Sequence, residues 1–286
     1  MPPSAEPGDG LPPLREVIAR HGLNARRQLG QNFLLDLNLT GRIARAAAPL
    51  AGFNVIEIGP GPGGLTRALL ANGANPLVAV ERDHRCLGAL AEIGAVYPGA
   101  LTVMEADALE VDLTAKVDPP RKIVANLPYN VATPLLIGWL RAIRADADAF
   151  ELMVLMFQKE VADRLVAQPG SRTYGRLSVI TQWLCRTEML FNIAARAFTP
   201  PPKVTSTVVR LAPLPARSGA PPFAAMEAIT AAAFGQRRKM LRGALRSLGN
   251  GEALLAAAGI DPAKRAEDVD VAGFEALAQE YARRKS

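Results

Sequence analysis

The feature that most constrains this chain is a run of glycines, Gly59, Gly61, Gly63 and Gly64, set between a short apolar stretch at 53–58 and a helical pattern at 65–71. Glycine adopts positive φ and lets a ligand approach the backbone, so a strand, a glycine turn and a helix N-terminus together make a binding turn. The rhythm then repeats. Apolar runs at 76–81, 101–104, 122–125 and 152–157 read as strands, and 84–93, 134–143 and 159–166 carry helical spacing. Alternating strands and helices demand right-handed crossovers, which predicts an α/β fold: a mainly parallel sheet with helices on both faces. Ligands of such sheets bind beyond the carboxyl ends of the strands.

The flanks differ. Residues 1–13 are rich in Pro, Gly and acidic residues and read as a disordered tail, followed by helical patterns at 14–20 and 37–48. A late strand at 204–211 follows the prolines at 200–202, which cannot sit inside a sheet. The Pro-rich stretch 213–222 reads as a linker, so the sequence divides into a main domain, 14–212, and a small C-terminal helical domain, 223–286. With 49% hydrophobic and 21% charged residues, the chain has the composition of a folded globular protein. Two cysteines far apart and two histidines exclude a disulfide framework, a zinc site of ordinary spacing and a histidine-based triad. No secretory signal and no uninterrupted apolar run of spanning length is present, so the reading is cytoplasmic, with no membrane.

Glu81 closes the second strand of the alternation, where a carboxylate can accept hydrogen bonds from both ribose hydroxyls of an adenosine. Asp107 lies just past the third strand, within reach of an adenine amino group; each is equally a solvated strand-end charge. By geometry a dinucleotide and S-adenosyl-L-methionine fit this arrangement equally. Asn126-Leu127-Pro128-Tyr129 follows the fourth strand at the same edge. Such a run serves as a simple turn. It also suits an exocyclic amino group, whose lone pair is delocalised into its ring and which reacts only when held in pyramidal geometry. The Asn side-chain oxygen and the carbonyl of Leu127 or Pro128 can each accept an amino hydrogen, while Tyr129 stacks on the base.

Taken together, these motifs resemble a known family. Glu57-x-Gly59-x-Gly61-x-Gly63, Glu81 and Asp107 resemble the first motifs of class I S-adenosylmethionine methyltransferases, and Asn-Leu-Pro-Tyr resembles the variant found in ribosomal RNA adenine dimethyltransferases. Gly30-Gln31-Asn32-Phe33-Leu34, Ala197-Phe198-Thr199-Pro200-Pro201-Pro202-Lys203-Val204 and Phe234-Gly235-Gln236-Arg237-Arg238-Lys239-Met240-Leu241 resemble three further segments of that family. The resemblance implies a Rossmann-like class I methyltransferase sheet and S-adenosyl-L-methionine as methyl donor, leaving as S-adenosyl-L-homocysteine. It implies that Asn32, Leu34, Gly59, Gly61, Glu81, Asp107 and Asn126 hold the cofactor. It assigns the chemistry to Asn126, Pro128 and Tyr129, with Phe198 as a second aromatic wall or else a core residue before the proline turn.

The members it resembles most dimethylate two adjacent adenosines in the hairpin near the 3′ end of 16S ribosomal RNA. That implies a monomer acting on an immature small ribosomal subunit. The alternatives are the related 23S adenine dimethyltransferases, a ribosome-assembly factor with secondary methylation, and a nicotinamide-dependent oxidoreductase. The charge balance, 33 Lys and Arg against 27 Asp and Glu, favours a polyanionic partner. Arg237, Arg238, Lys239, Arg242 and Arg246 form a basic run in a predicted helix, where Arg238, Arg242 and Arg246 share one face, suited to phosphates or simply solvated. Arg26 and Arg27 make a second basic patch.

Overall fold

The computed structural model describes residues 9–26 and 30–285; the expected disorder of 1–8 and the basic side chain of Arg27 lie outside the described residues. The chain forms two compact units. The first comprises Met1–Trp139, Asp148–Lys159 and Met189–Ala212, and the second comprises Leu140–Ala147, Glu160–Glu188 and Pro213–Ser286.

The strands are β1 (Phe33–Leu34), β2 (Asn54–Ile58), β3 (Leu77–Glu81), β4 (Leu101–Glu105), β5 (Arg121–Asn126), β6 (Leu152–Gln158), β7 (Cys185–Ile193), β8 (Phe198–Thr199) and β9 (Ser206–Pro213). Seven of them form one sheet in the order β4-β3-β2-β5-β6-β9-β7. β2 to β6 are parallel throughout, and β9 runs antiparallel to β6. This is the mainly parallel sheet that the sequence implied. Its central strands are buried on both faces, with Ile123, Val124, Met153, Val154 and Leu155 all at 0% exposure, which is why they read as continuous apolar runs. β7 was missed because it is an edge strand: exposed Arg186, Glu188 and Met189 interrupt any apolar alternation. β1 and β8 pair separately, Phe33 with Thr199 and Leu34 with Phe198, joining two segments 164 to 166 residues apart in the sequence.

Local chemistry sets the helix starts. Asp36 caps the helix Leu37–Ala46, its carboxylate accepting from the backbone N–H groups of Asn38 and Leu39. Gly63, at φ 89°, precedes the helix Gly64–Ala71; a Cβ there would come 2.2 Å from Ile93 Cδ1, so only glycine fits. Ile43, Leu50, Leu69, Leu77, Leu90, Val124 and Val154 belong to the apolar core of this unit.

Part of the expected tail is ordered. Asp9 forms a buried ion pair with Arg67 at 2.8 Å, and Arg67 also donates to the Pro12 carbonyl, so the chain is fixed from Asp9 onward. A guanidinium in the core needs these acceptors, and the acidic tail supplies them.

The second unit is not confined to 223–286, as the sequence suggested; it also takes in 140–147 and 160–188. Its centre holds Trp183, Tyr174 and Phe274, with Phe234 stacked on Phe274 at 5.3 Å. The stretch 213–222 belongs to this unit rather than separating two domains. Arg144 donates to the carbonyls of Ala220 and Pro221, and Arg217 binds Glu275 and the Trp183 carbonyl. Prolines lack an N–H yet leave carbonyls to accept, so a Pro-rich segment can still be packed down. Among the described residues no helix is long and apolar enough to cross a membrane.

Candidate active site

At the carboxyl ends of β2, β3 and β5 lies a cleft, open to solvent. Its walls come from five segments: 30–34, 57–62 with Gly64 and Leu65, 80–83, 106–109 and 126–131, with Thr40, Ile43 and Leu135 behind. Asn32, Leu34, Gly59, Gly61, Glu81, Asp107, Asn126, Pro128 and Tyr129 all line it. Most residues nominated by sequence are therefore brought to one place.

The glycine turn is braced from β3. Glu81 Oε2 accepts the Gly61 N–H at 2.9 Å, and Oε1 accepts that of Asp83 at 2.7 Å, so the carboxylate expected to meet a ribose also ties the loop to the strand end. Each oxygen keeps a second lone pair for a ligand. Burial raises the Glu81 carboxyl above the ordinary range, opposed by those backbone donors. Gly61, at φ 56°, lies under Phe33, whose Cε1 would stand 3.1 Å from an added Cβ. At the base of the cleft Glu57 is fully buried; desolvation pushes its carboxyl up to about 8, against a 2.7 Å hydrogen bond from Thr66 Oγ1.

Asp107 accepts from the Leu109 N–H and from exposed Arg82 at 2.9 Å. Beside it Leu109 is 48% exposed and lines the cleft. Sequence reading missed Leu109, and also Gln31 and Asp83. Gln31 donates to Asp83 at 2.9 Å, and Arg85 pairs with the same carboxylate, holding it at about 2. The acidic Asp83 two residues after Glu81 was the available signal.

On the opposite wall Asn126 ends β5, and its Nδ2 donates to the Asn32 carbonyl at 3.2 Å. The amide is thereby oriented, with Oδ1 taking no donor among the described residues. Pro128 lies against the glycine turn, 3.7 Å from a Cβ built on Gly59. Tyr129 is half-buried, its hydroxyl 2.6 Å from Ser206 Oγ, and burial raises its pKa.

Two expectations are corrected. Phe198 is not among the residues lining the cleft: it is 3% exposed within the apolar core, its backbone paired to Leu34, which is the core placement that the sequence left as the alternative. The basic run of the second unit is not one helix. The helix Phe223–Gly235 stops at Gly235, a turn follows, and the rest of the basic run lies in the short helix Leu241–Ala244 and the 3-10 turn Leu245–Leu248. Residues 236–238 form a turn and Met240 pairs with Arg265, so Arg238 lies outside the helical segment that carries Arg242 and does not share its face. Arg237 is used internally, binding Glu267 at 3.2 Å and the carbonyls of Arg172 and Tyr174. Arg238, Lys239, Arg242 and Arg246 are exposed, and so is Arg26.

A parallel sheet closed by a reversed strand, with a glycine turn after β2, acidic residues ending β3 and following β4, and Asn-Leu-Pro-Tyr ending β5, defines a class I methyltransferase. The chain belongs to the ribosomal RNA adenine dimethylase family, which it matches over residues 22–283. It is 65% identical over 273 residues to the ribosomal RNA small subunit methyltransferase A of Rhodospirillum rubrum, covering 96% of this chain and 93% of that one. To the protein of the same name from Xanthobacter autotrophicus it is 58% identical, covering 97% and 96%. Among solved structures it is similar to a dimethyladenosine transferase from Plasmodium falciparum, with TM-score 0.69, 25% identity and coverage of 85% and 94%. It is also similar to the 23S rRNA methyltransferase ErmE, with TM-score 0.63, 25% identity and coverage of 87% and 99%.

Proposed function

We propose that this enzyme transfers methyl groups from S-adenosyl-L-methionine to N6 of two adjacent adenosines in the 3′-terminal hairpin of 16S ribosomal RNA, two to each. In this reading it works as a cytoplasmic monomer on an immature small subunit. The observation that carries the chemistry is Asn126: its Nδ2 is committed to the Asn32 carbonyl, so Oδ1 is turned to accept, beside the glycine turn that Pro128 touches.

The cleft fits the cofactor by donor set and shape. Glu81 would take the ribose hydroxyls, Asp107 the adenine amino group, and Leu109 the adenine face, with Asn32 and Leu34 covering the glycine turn. When bound, S-adenosyl-L-methionine supplies an electrophilic sulfonium methyl and leaves as S-adenosyl-L-homocysteine. Asn126 Oδ1 and the carbonyl of Leu127 or Pro128 accept the two amino hydrogens of the target, which favours the pyramidal nitrogen that attacks the methyl. Tyr129 stacks on the flipped base and keeps its nitrogen in line. The bound donor would supply the methyl for the new N–C bond as its C–S bond breaks, and the proton made acidic on N6 would leave to water. The cleft is lined by no histidine, and this route requires no general base.

The small-subunit assignment is supported by the names of relatives at 58–65% identity, set against 25% for the 23S enzyme. Exposed Arg238, Lys239 and Arg242 suit phosphate contact, whereas Arg237 supports their turn. Incubation with labelled S-adenosyl-L-methionine and unmethylated small subunits, followed by mapping of labelled nucleotides, should place four methyl groups on the two hairpin adenosines. Label on 23S RNA alone, or on no adenine, would overturn the proposal.

A further inference from the structure

The segment from Ala197 to Val204 contributes no residue to the cleft, yet it leads directly to one that acts on it. Because β9 runs against β6, its first residue arrives at the edge where the parallel strands end. Ser206 pairs with Gln158, the last residue of β6, two positions beyond Met156, which is level with Asn126. Tyr129, three residues past the end of β5, reaches that point with its hydroxyl 2.6 Å from Ser206 Oγ. Ser206 is 0% exposed, and Tyr129 is its one side-chain partner among the described residues, so neither hydroxyl can leave without orphaning a buried polar group.

We infer that Ser206 is a positioning residue for methyl transfer: by holding the Tyr129 hydroxyl it fixes the ring on which the target base stacks. The hydroxyl lies on the long axis of the ring, so anchoring it sets where the ring points. The in-plane geometry of a phenol hydrogen bond restrains the roll of the ring about that axis. The hydroxyl is thus a tether and carries no proton in the reaction. The inference rests on Tyr129 facing the base, as proposed above.

The test is single-turnover methylation of unmethylated small subunits by Ser206→Ala, Tyr129→Phe and the double variant, with cofactor affinity measured in parallel. Each single change should lower the rate at saturating RNA about tenfold, as expected for a loosened positioning group, with cofactor affinity within about twofold. The double variant should be no slower than either single one, because both remove the same bond. Multiplied losses in the double variant would overturn the inference. So would a wild-type rate in Tyr129→Phe, which answers the question even where Ser206→Ala fails to fold. Tyr129→Ala separates the layers: a wild-type rate there removes the base-stacking reading itself. Loss in Tyr129→Ala with a wild-type rate in Tyr129→Phe removes only the role of Ser206.

Discussion

The cleft and the basic stretch of the second unit handle polar groups in opposite ways. In the cleft they are held in advance: Glu81 by two backbone N–H groups, Asn126 by the Asn32 carbonyl, and Asp83 by Gln31 and Arg85. On the basic stretch only Arg237 is held. Arg238, Lys239, Arg242 and Arg246 stand exposed, with no side-chain hydrogen bond or ion pair among the described residues. Chemistry on a weak nucleophile is fast when dipoles are fixed before the substrate arrives, whereas phosphate attraction works through accessible charge and tolerates motion.

Substitutions can break this contrast. Asn126→Ala should lower the methylation rate by about 10²–10³, the scale for losing one preorganised polar group, while binding to small subunits changes less than about twofold. Equal losses in both would erase the distinction between the regions. Glu81→Ala removes the proposed ribose acceptor and orphans two backbone donors; calorimetry should show cofactor affinity lower by about 30- to 100-fold, or ~2–3 kcal/mol. An unchanged affinity would move the ribose elsewhere.

On the basic stretch, Arg238→Ala with Arg242→Ala should flatten the dependence of log affinity on log salt by about 1–2, with thermal stability intact. Arg237→Ala should do the reverse, lowering the melting temperature and leaving the slope alone. If the two variants exchanged behaviours, the assignment of held and exposed arginines would be wrong.

A further effect concerns pH. Glu57 titrates at about 8 when folded, against an ordinary value of 4.5, so between these limits the folded state binds the extra proton. Its contribution to stability is fully present below about 4.5 and is lost as pH rises through about 8. Glu57→Gln cannot titrate, and its melting temperature should fall less steeply from acid to mildly alkaline pH than that of the wild type. Parallel curves would show that Glu57 does not titrate in this window.

Much of the site was legible because its residues sit at strand ends, where a glycine turn or an acidic residue interrupts an apolar run. Gly59, Glu81, Asp107 and Asn126 were found in this way. What escaped depends on pairings distant in sequence. Phe198 looks like an exposed aromatic before prolines until its pairing with Leu34 draws it into the core. Ser206 carries no local mark of its bond to Tyr129, 77 residues away. The basic run misled because arginines at four-residue spacing suggest a helix face, while the turn at 236–238 and the pairing of Met240 with Arg265 break the helix between Arg238 and Arg242. The Pro-rich stretch at 213–222 resembled a linker in composition alone, since carbonyl acceptance by prolines leaves no sequence signature.

The chain passes from one unit to the other after Trp139, Ala147, Lys159, Glu188 and Ala212. Neither unit is therefore a contiguous cassette. A protein ending at Ala212 would still contain 140–147 and 160–188, stripped of the helices Phe223–Gly235 and Val271–Arg283 that complete their unit. During synthesis those stretches emerge long before their partners and must wait for the last helix.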